Sequence, residues 1–246
     1  MLSVNQIIHG DCLEILPQVA DKSIDLILAD LPYNLTQAEW DLEIDLNKLW
    51  IQFRRIIKER GAIICMASGI FTGKLMMSAP DLFKYSLVWK KNKVTGWLNA
   101  KKMPMRAHED ILVFYKKLPK FNPQKTSGHK PVNSYTKNTS DGENYGATKL
   151  GIKGGGSTER YPTSIIEIPV VNNDNPNKKH STEKPVELGE YLIKSYSEPG
   201  MTVLDPTCGS GAFLVAAKNL NRYWIGIELD SDMVKESRSR LDGTSK

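Results

Sequence analysis

Long apolar runs are missing from this chain of 246 residues. No stretch approaches the ~18 residues that suggest a membrane span, and the N-terminus lacks the pattern of a signal peptide. These absences point to a cytoplasmic protein that does not enter a membrane. Cysteine is scarce: Cys12, Cys65 and Cys208 form no close pair and no metal-ligand spacing, which argues for a reducing compartment and against structural zinc. Internal repeats are also absent. What remains is 40% hydrophobic, enough to bury one substantial sheet core in a single domain.

Short aliphatic runs alternate with helical patterns along the chain. Ile24 to Ala29, Gly61 to Met66, Tyr85 to Trp89, Asp110 to Tyr115, Met201 to Leu204 and Tyr223 to Ile227 read as strands. Asn47 to Glu59 carries Leu49, Trp50, Phe53, Ile56 and Ile57 at helical spacing, with Gly61 expected to close that helix. Ile70 to Ala79 and Ala212 to Leu220 read as further helices. Alternation of this kind predicts an α/β protein whose mainly parallel, doubly wound sheet is covered on both sides.

Two segments interrupt the alternation. Asp30-Leu31-Pro32-Tyr33 follows a buried strand, and Pro32 stops that strand from continuing into a helix. Asp205-Pro206-Thr207-Cys208-Gly209-Ser210-Gly211-Ala212-Phe213 follows another strand, and its glycines allow a tight turn with close backbone approach to a ligand at a helix N-terminus. The next strand ends at Glu228, close to the ~20-residue spacing at which an acid meets ribose hydroxyls in nucleotide-binding βαβ units. A nicotinamide site would use a third glycine for helix packing. Leu214 stands there instead, so hydride transfer is disfavoured.

Asp-Leu-Pro-Tyr resembles the Asp-Pro-Pro-Tyr signature of DNA amino-methyltransferases, the adenine-N6 and cytosine-N4 enzymes, and the Asp-Pro/Gly-Ser-Gly segment resembles their S-adenosylmethionine loop. The catalytic segment precedes the cofactor segment, an order similar to that of the β group, which carries a Rossmann-like methyltransferase sheet in circularly permuted order. Two further segments match that group. Gly10-Asp11-Cys12 resembles its opening element, and His180-Ser181-Thr182-Glu183-Lys184-Pro185 resembles its His-Pro-Thr-Gln-Lys-Pro element.

The resemblance implies roles residue by residue. Asp30 and the carbonyl of Leu31 would each accept an N–H of the target amine, with Pro32 shaping the turn and Tyr33 offering a face to an extruded base. The cofactor would be bordered by Asp11, Cys12, Asp30, Asp205, Pro206, Thr207, Cys208, Gly209, Gly211 and Phe213. Lys184 would reach its methionyl carboxylate and Glu228 its ribose. No cysteine is needed as a nucleophile, so Cys208 reads as a packing residue.

The similarity covers residues 1–118 and 180–246, the two halves of the catalytic domain, and leaves 119–179 unmatched. From Lys116 to His180 there are 11 Lys and Arg against 5 Asp and Glu, whereas the whole chain carries a net +5. The excess positive charge therefore lies in this insert. It is rich in hydrogen-bonding residues and broken by Gly154-Gly155-Gly156, with Asn172, Asn173, Asn175 and Asn177 near its end. Tyr135, Tyr145, Tyr161 and Ile165-Ile166-Glu167-Ile168 suggest ordered structure within it. Such a segment suits phosphates and base edges, and the family places its target-recognition region here.

These readings converge on a DNA adenine-N6 methyltransferase acting on duplex DNA, because cytosine-N4 members of the group more often begin the catalytic loop with serine. The alternatives are a cytosine-N4 enzyme, an RNA methyltransferase, and an inactive nucleic-acid-binding module. A homodimer and a cognate restriction nuclease are candidate partners by the same resemblance.

Overall fold

The computed structural model describes residues 2–33, 44–138, 149–171 and 183–243. Asn172, Asn173, Asn175, Asn177, Tyr145 and the His180-Ser181-Thr182 start of the lysine motif lie outside the described residues. The larger of two compact units comprises residues 1–122 and 164–246.

Its elements in chain order are β1 (Gln6–His9), α1 (Cys12–Ile15), β2 (Ile24–Ala29), α2 (Leu46–Ile56), β3 (Ile57–Ala67), α3 (Ile70–Ser78), β4 (Phe83–Thr95) and β5 (Arg106–Phe114). After the smaller unit, which holds β6 (Tyr135–Thr136) and β7 (Lys153–Gly154), come β8 (Ile165–Glu167), α4 (Val186–Tyr196), β9 (Thr202–Asp205), α5 (Ala212–Asn219), β10 (Tyr223–Glu228) and α6 (Ser231–Asp242). Eight strands form one sheet in the order β1-β10-β9-β2-β3-β5-β4-β8. Only β5 runs against the others.

The aliphatic run of β2 is continuous because both of its faces are covered. Ile27 and Ala29 face a cluster with Leu49, Trp50 and Phe53 of α2 and Phe71 and Leu75 of α3. Leu26 and Leu28 face Leu188 and Leu192 of α4 and Phe213 and Ala216 of α5. Apolar burial on two faces makes β2 and its neighbours the rigid centre from which the loops project.

Three elements differ from the sequence expectation. Helix α2 ends at Ile56, and Gly61, expected to close it, lies inside β3. A Cβ there would stand 2.8 Å from the carbonyl oxygen of Asp25, so glycine permits the close approach of β2 and β3. Strand β4, read from sequence as Tyr85 to Trp89, is longer, running from Phe83 to Thr95 and taking in Lys90, Lys91 and Lys93. Ile165–Glu167 is a strand of the main sheet, parallel to β4.

The second compact unit spans Pro123–Thr163. Within it β6 and β7 pair antiparallel, and Thr126 bridges to Arg160.

Candidate active site at the carboxyl edge of the sheet

Strand order reverses between β9 and β2, since β9 leads to β10 on one side and β2 leads to β3 on the other. Leu26 pairs with Val203 and Ile27 with Leu204 in parallel, so the carboxyl ends of these two strands emerge side by side. Adjacent loops that diverge at such a reversal leave a crevice. The register therefore brings Asp30-Leu31-Pro32-Tyr33 beside Asp205-Pro206-Thr207-Cys208-Gly209. The Thr207 hydroxyl donates to the Asp30 carbonyl oxygen at 3.1 Å and ties the two turns together.

The glycine turn is held from behind. Gly209 and Gly211 have φ of 48° and 77°, the left-handed region that favours glycine. The Gly209 amide donates to Glu228 Oε2 at 2.7 Å, and Glu228 Oε1 accepts from the Asp230 amide at 2.9 Å. Glu228 thus braces the turn as well as ending β10. A Cβ on Gly209 would meet nothing within 4 Å, which leaves open space beside the turn for a ligand to approach its backbone. Gly211 opens α5 without a side-chain cap.

Asp205 is buried, and its Oδ1 accepts from the Thr207 amide at 3.2 Å. Burial, reinforced by the charges of Asp30 and Glu228, pushes its carboxyl well above the usual carboxylate range. Cys208 is buried, and its sulfur would lie 3.0 Å from a Cβ on Gly226, as a packing residue should. Phe213 is buried against Gly189 of α4. At the neighbouring strand end, the Gly10 amide donates to the Glu228 carbonyl at 2.9 Å. Asp11 follows and caps α1, accepting from the Leu13 amide at 2.8 Å, with Cys12 buried beneath it.

Both oxygens of Asp30 are engaged. Oδ1 accepts from the Tyr33 hydroxyl at 2.9 Å and Oδ2 from Lys184 Nζ at 2.6 Å. Leu31 points into the core, which anchors the turn, and Tyr33 stacks on Phe71 with centroids 5.2 Å apart. Burial, together with Asp30 and Glu109, raises the Tyr33 hydroxyl well above its usual range, so it stays a neutral donor.

Lys184 comes from the segment before α4, yet it reaches the Asp30 turn. Its Nζ also lies 3.4 Å from Glu109 Oε2 on β5, while Glu109 Oε1 accepts from Lys91 of β4 at 3.0 Å. Asp30, Lys184, Glu109 and Lys91 form a line of alternating charge. Burial opposes the charged form of Lys184, but Asp30 and Glu109 outweigh it and hold the ammonium above its ordinary value. Burial likewise opposes the Glu109 carboxylate, and Lys184 and Lys91 outweigh it, so that group sits lower than usual.

Glu109 was not among the residues singled out from sequence. The available signal was a pair of acids, Glu109-Asp110, directly before the apolar stretch of β5. Arg240 was missed as well. From α6 it pairs with Glu183 at 2.8 Å and donates to the Ser210 carbonyl at 3.2 Å, tying the glycine turn to the residue beside Lys184. No group of His, Cys, Asp and Glu among the described residues could hold a metal ion.

A mainly parallel, doubly wound sheet with these two turns at its reversal point is the fold of S-adenosylmethionine-dependent methyltransferases. Solved structures share it. The M1.HpyAVI–SAM complex superposes with a TM-score of 0.62 at 23% identity, covering 96% of this chain and 99% of that one. The PvuII DNA methyltransferase, described as cytosine-N4-specific, gives 0.69 at 18% identity, covering 98% and 87%. The family model for DNA methylases of the N6/N4 type matches residues 24–239, and the chain belongs to that family. Its relatives include the DNA adenine methyltransferase YhdJ of Escherichia coli (strain K12), 29% identical over 97% of this chain and 83% of that protein. The type II methyltransferase M.HpaI of Haemophilus parainfluenzae is 29% identical over 96% and 74%.

Proposed function

We propose that this DNA methyltransferase transfers a methyl group from S-adenosylmethionine to the exocyclic N6 of adenine, extruded from duplex DNA. The observation that carries the reading is the hydrogen bond from Thr207 to the Asp30 carbonyl, because it puts the acid-bearing turn against the glycine turn. An aspartate at the start of the catalytic turn and the relative described as an adenine methyltransferase both support N6 over cytosine N4.

When bound, S-adenosylmethionine supplies an electrophilic methyl group on a sulfonium. The residues present fit it. Gly209 leaves room for close backbone approach, and Glu228 and Asp11 stand at neighbouring strand ends as acceptors for hydroxyl and amine groups, while Lys184, expected at the methionyl carboxylate, is engaged by Asp30 and Glu109.

Asp30 does the work on the base. The amine lone pair is delocalised into the ring, and a carboxylate oxygen and a backbone carbonyl, each accepting one N–H, favour a pyramidal nitrogen with its lone pair free. Asp30 and the Leu31 carbonyl fill these roles. Lys184 and Tyr33 fix the carboxylate in one orientation, so little reorganisation is left for the reaction. Phe71 supports the Tyr33 ring, against which the base stacks for about 1–3 kcal/mol.

Enzymatic digestion of methylated duplex, followed by separation of the nucleosides, tests the assignment. N6-methyl-2′-deoxyadenosine as the product is expected. Appearance of N4-methyl-2′-deoxycytidine instead contradicts it.

A further inference from the structure

The β4–β5 hairpin carries an exposed apolar tip flanked by cations. Strand β3 ends at Ala67, paired with Asp110, but β5 starts four residues earlier at Arg106, and β4 continues to Thr95. Because β4 runs with β2 and β3, the hairpin projects past the same carboxyl edge that bears Asp30. A single 3-10 turn at its tip, Trp97–Asn99, leaves Trp97 77% and Leu98 96% exposed. An aromatic and an aliphatic side chain held out in water bury nothing in the protein itself, so the tip gains nothing in folding from carrying them.

The charge around the tip selects the partner. From Lys90 to Arg106 there are six cations and no acid. Lys90 and Lys91 are paired, with Glu167 and Glu109 respectively. Lys93, Lys101, Lys102 and Arg106 are exposed and have no carboxylate partner among the described residues. A second copy of the chain offers no matching acidic run in this hairpin, whereas a polyphosphate duplex complements four cations that flank an apolar point.

We infer that the β4–β5 tip is a wedge that enters the duplex beside the target, with Trp97 and Leu98 filling the stack and the flanking cations on phosphates. Extruding a base costs a few kcal/mol of lost stacking and pairing. Apolar side chains inserted at a base step offset that loss, in the manner of proteins that kink DNA. The wedge rests on the proposed reaction, and it identifies which surface prepares the duplex for it.

The test compares two substrates for the Trp97→Ala/Leu98→Ala double variant: a fully paired duplex, and the same duplex with the target base opposite an abasic site. The second substrate has no partner base to break away from. The wedge predicts a drop in kcat/KM of at least about tenfold on the paired duplex and less than about twofold on the abasic one. Both residues are exposed, so the melting temperature should not change. An equal loss on both substrates, or no loss on the paired one, overturns the proposal. Lys101→Gln/Lys102→Gln should also flatten the dependence of log K on log salt by about 1.8 for two phosphate contacts. An unchanged slope removes the phosphate contacts from the proposal. A wild-type chain that methylates neither substrate overturns the proposed reaction itself, a result distinct from any failure of the variants.

Discussion

Replacing Glu109 with glutamine keeps the shape of the side chain and removes one charge from the line Asp30, Lys184, Glu109, Lys91. The two lysines are buried to nearly the same degree, with side-chain exposures of 10% and 8%. At an effective dielectric near 20, the 3.4 Å pairing of Lys184 with Glu109 has a gross attraction of about 5 kcal/mol. Desolvation of the pair cancels part of this, and the glutamine oxygen still accepts one hydrogen bond, so a net loss of about 2 kcal/mol is expected. For a chain of this size that corresponds to a melting temperature lower by roughly 4–8 °C. Lys184 would then act on Asp30 alone and weaken its acceptor strength toward the amine. A fall in kcat of about tenfold is expected, equivalent to about 1.4 kcal/mol in the barrier. Thermal denaturation and transfer of a tritiated methyl group measure the two effects. The pH dependence has a definite sign: the Glu109 carboxylate sits low in the folded chain, so its contribution is present above the ordinary carboxylate range and fades as pH falls through the depressed value. The gap in melting temperature between wild type and variant should therefore close in acid. Adding Lys91→Met to Glu109→Gln restores the charge balance and should recover part of the stability. Unchanged melting and unchanged kcat in Glu109→Gln would refute the reasoning, because they would show Lys184 to be indifferent to its second partner.

Three further outcomes follow from other parts of the site. Burial pushes the Cys12 thiol up to about 12 and raises Cys65 and Cys208 as well, so none of the three should react with a thiol reagent at pH 8 until denaturant is added; rapid labelling of the native chain contradicts their placement. Gly226→Ala would set a Cβ hard against Leu214 Cδ1 and 3.0 Å from Cys208 Sγ, and should cost about 1–3 kcal/mol in denaturant unfolding; a neutral result means that β10 and the glycine turn are not tightly packed. Asp205→Asn keeps an acceptor for the Thr207 amide and removes a buried acid whose pKa is raised, so it should melt higher than wild type at pH 8 and lose that advantage as pH falls; an advantage that persists in acid means that the gain does not come from ionisation.

The turns at Asp30 and Gly209 were legible in the sequence because proline and glycine break the strand pattern at one point each, directly after uninterrupted aliphatic runs. Their adjacency was legible only through the family resemblance, since no local pattern states that β9 pairs with β2 across 177 residues. Other features were hidden for physical reasons. Ile57 continues the helical spacing of α2, but its backbone already belongs to β3, so tertiary pairing overrides the local pattern there. The lysine-bearing half of β4 was not read as strand because most of its side chains are exposed and apolar alternation is lost there. Ile165–Glu167 is three residues long, and what makes it a strand is β4, 77 residues away in the Val88 to Ile165 pairing. The ion line behind Asp30 joins β4, β5 and the segment before α4, and a charge met singly along the sequence looks like a solvated one.

In the proposed reaction Asp30 acts on the base while the glycine turn holds the cofactor. Asp30→Ala, studied by calorimetric titration with S-adenosylmethionine and by methyl transfer to duplex DNA, separates the two tasks. Transfer should be abolished while the Kd for the cofactor stays within a few-fold of wild type. Loss of cofactor affinity in step with activity would assign Asp30 to cofactor binding and contradict its role on the amine.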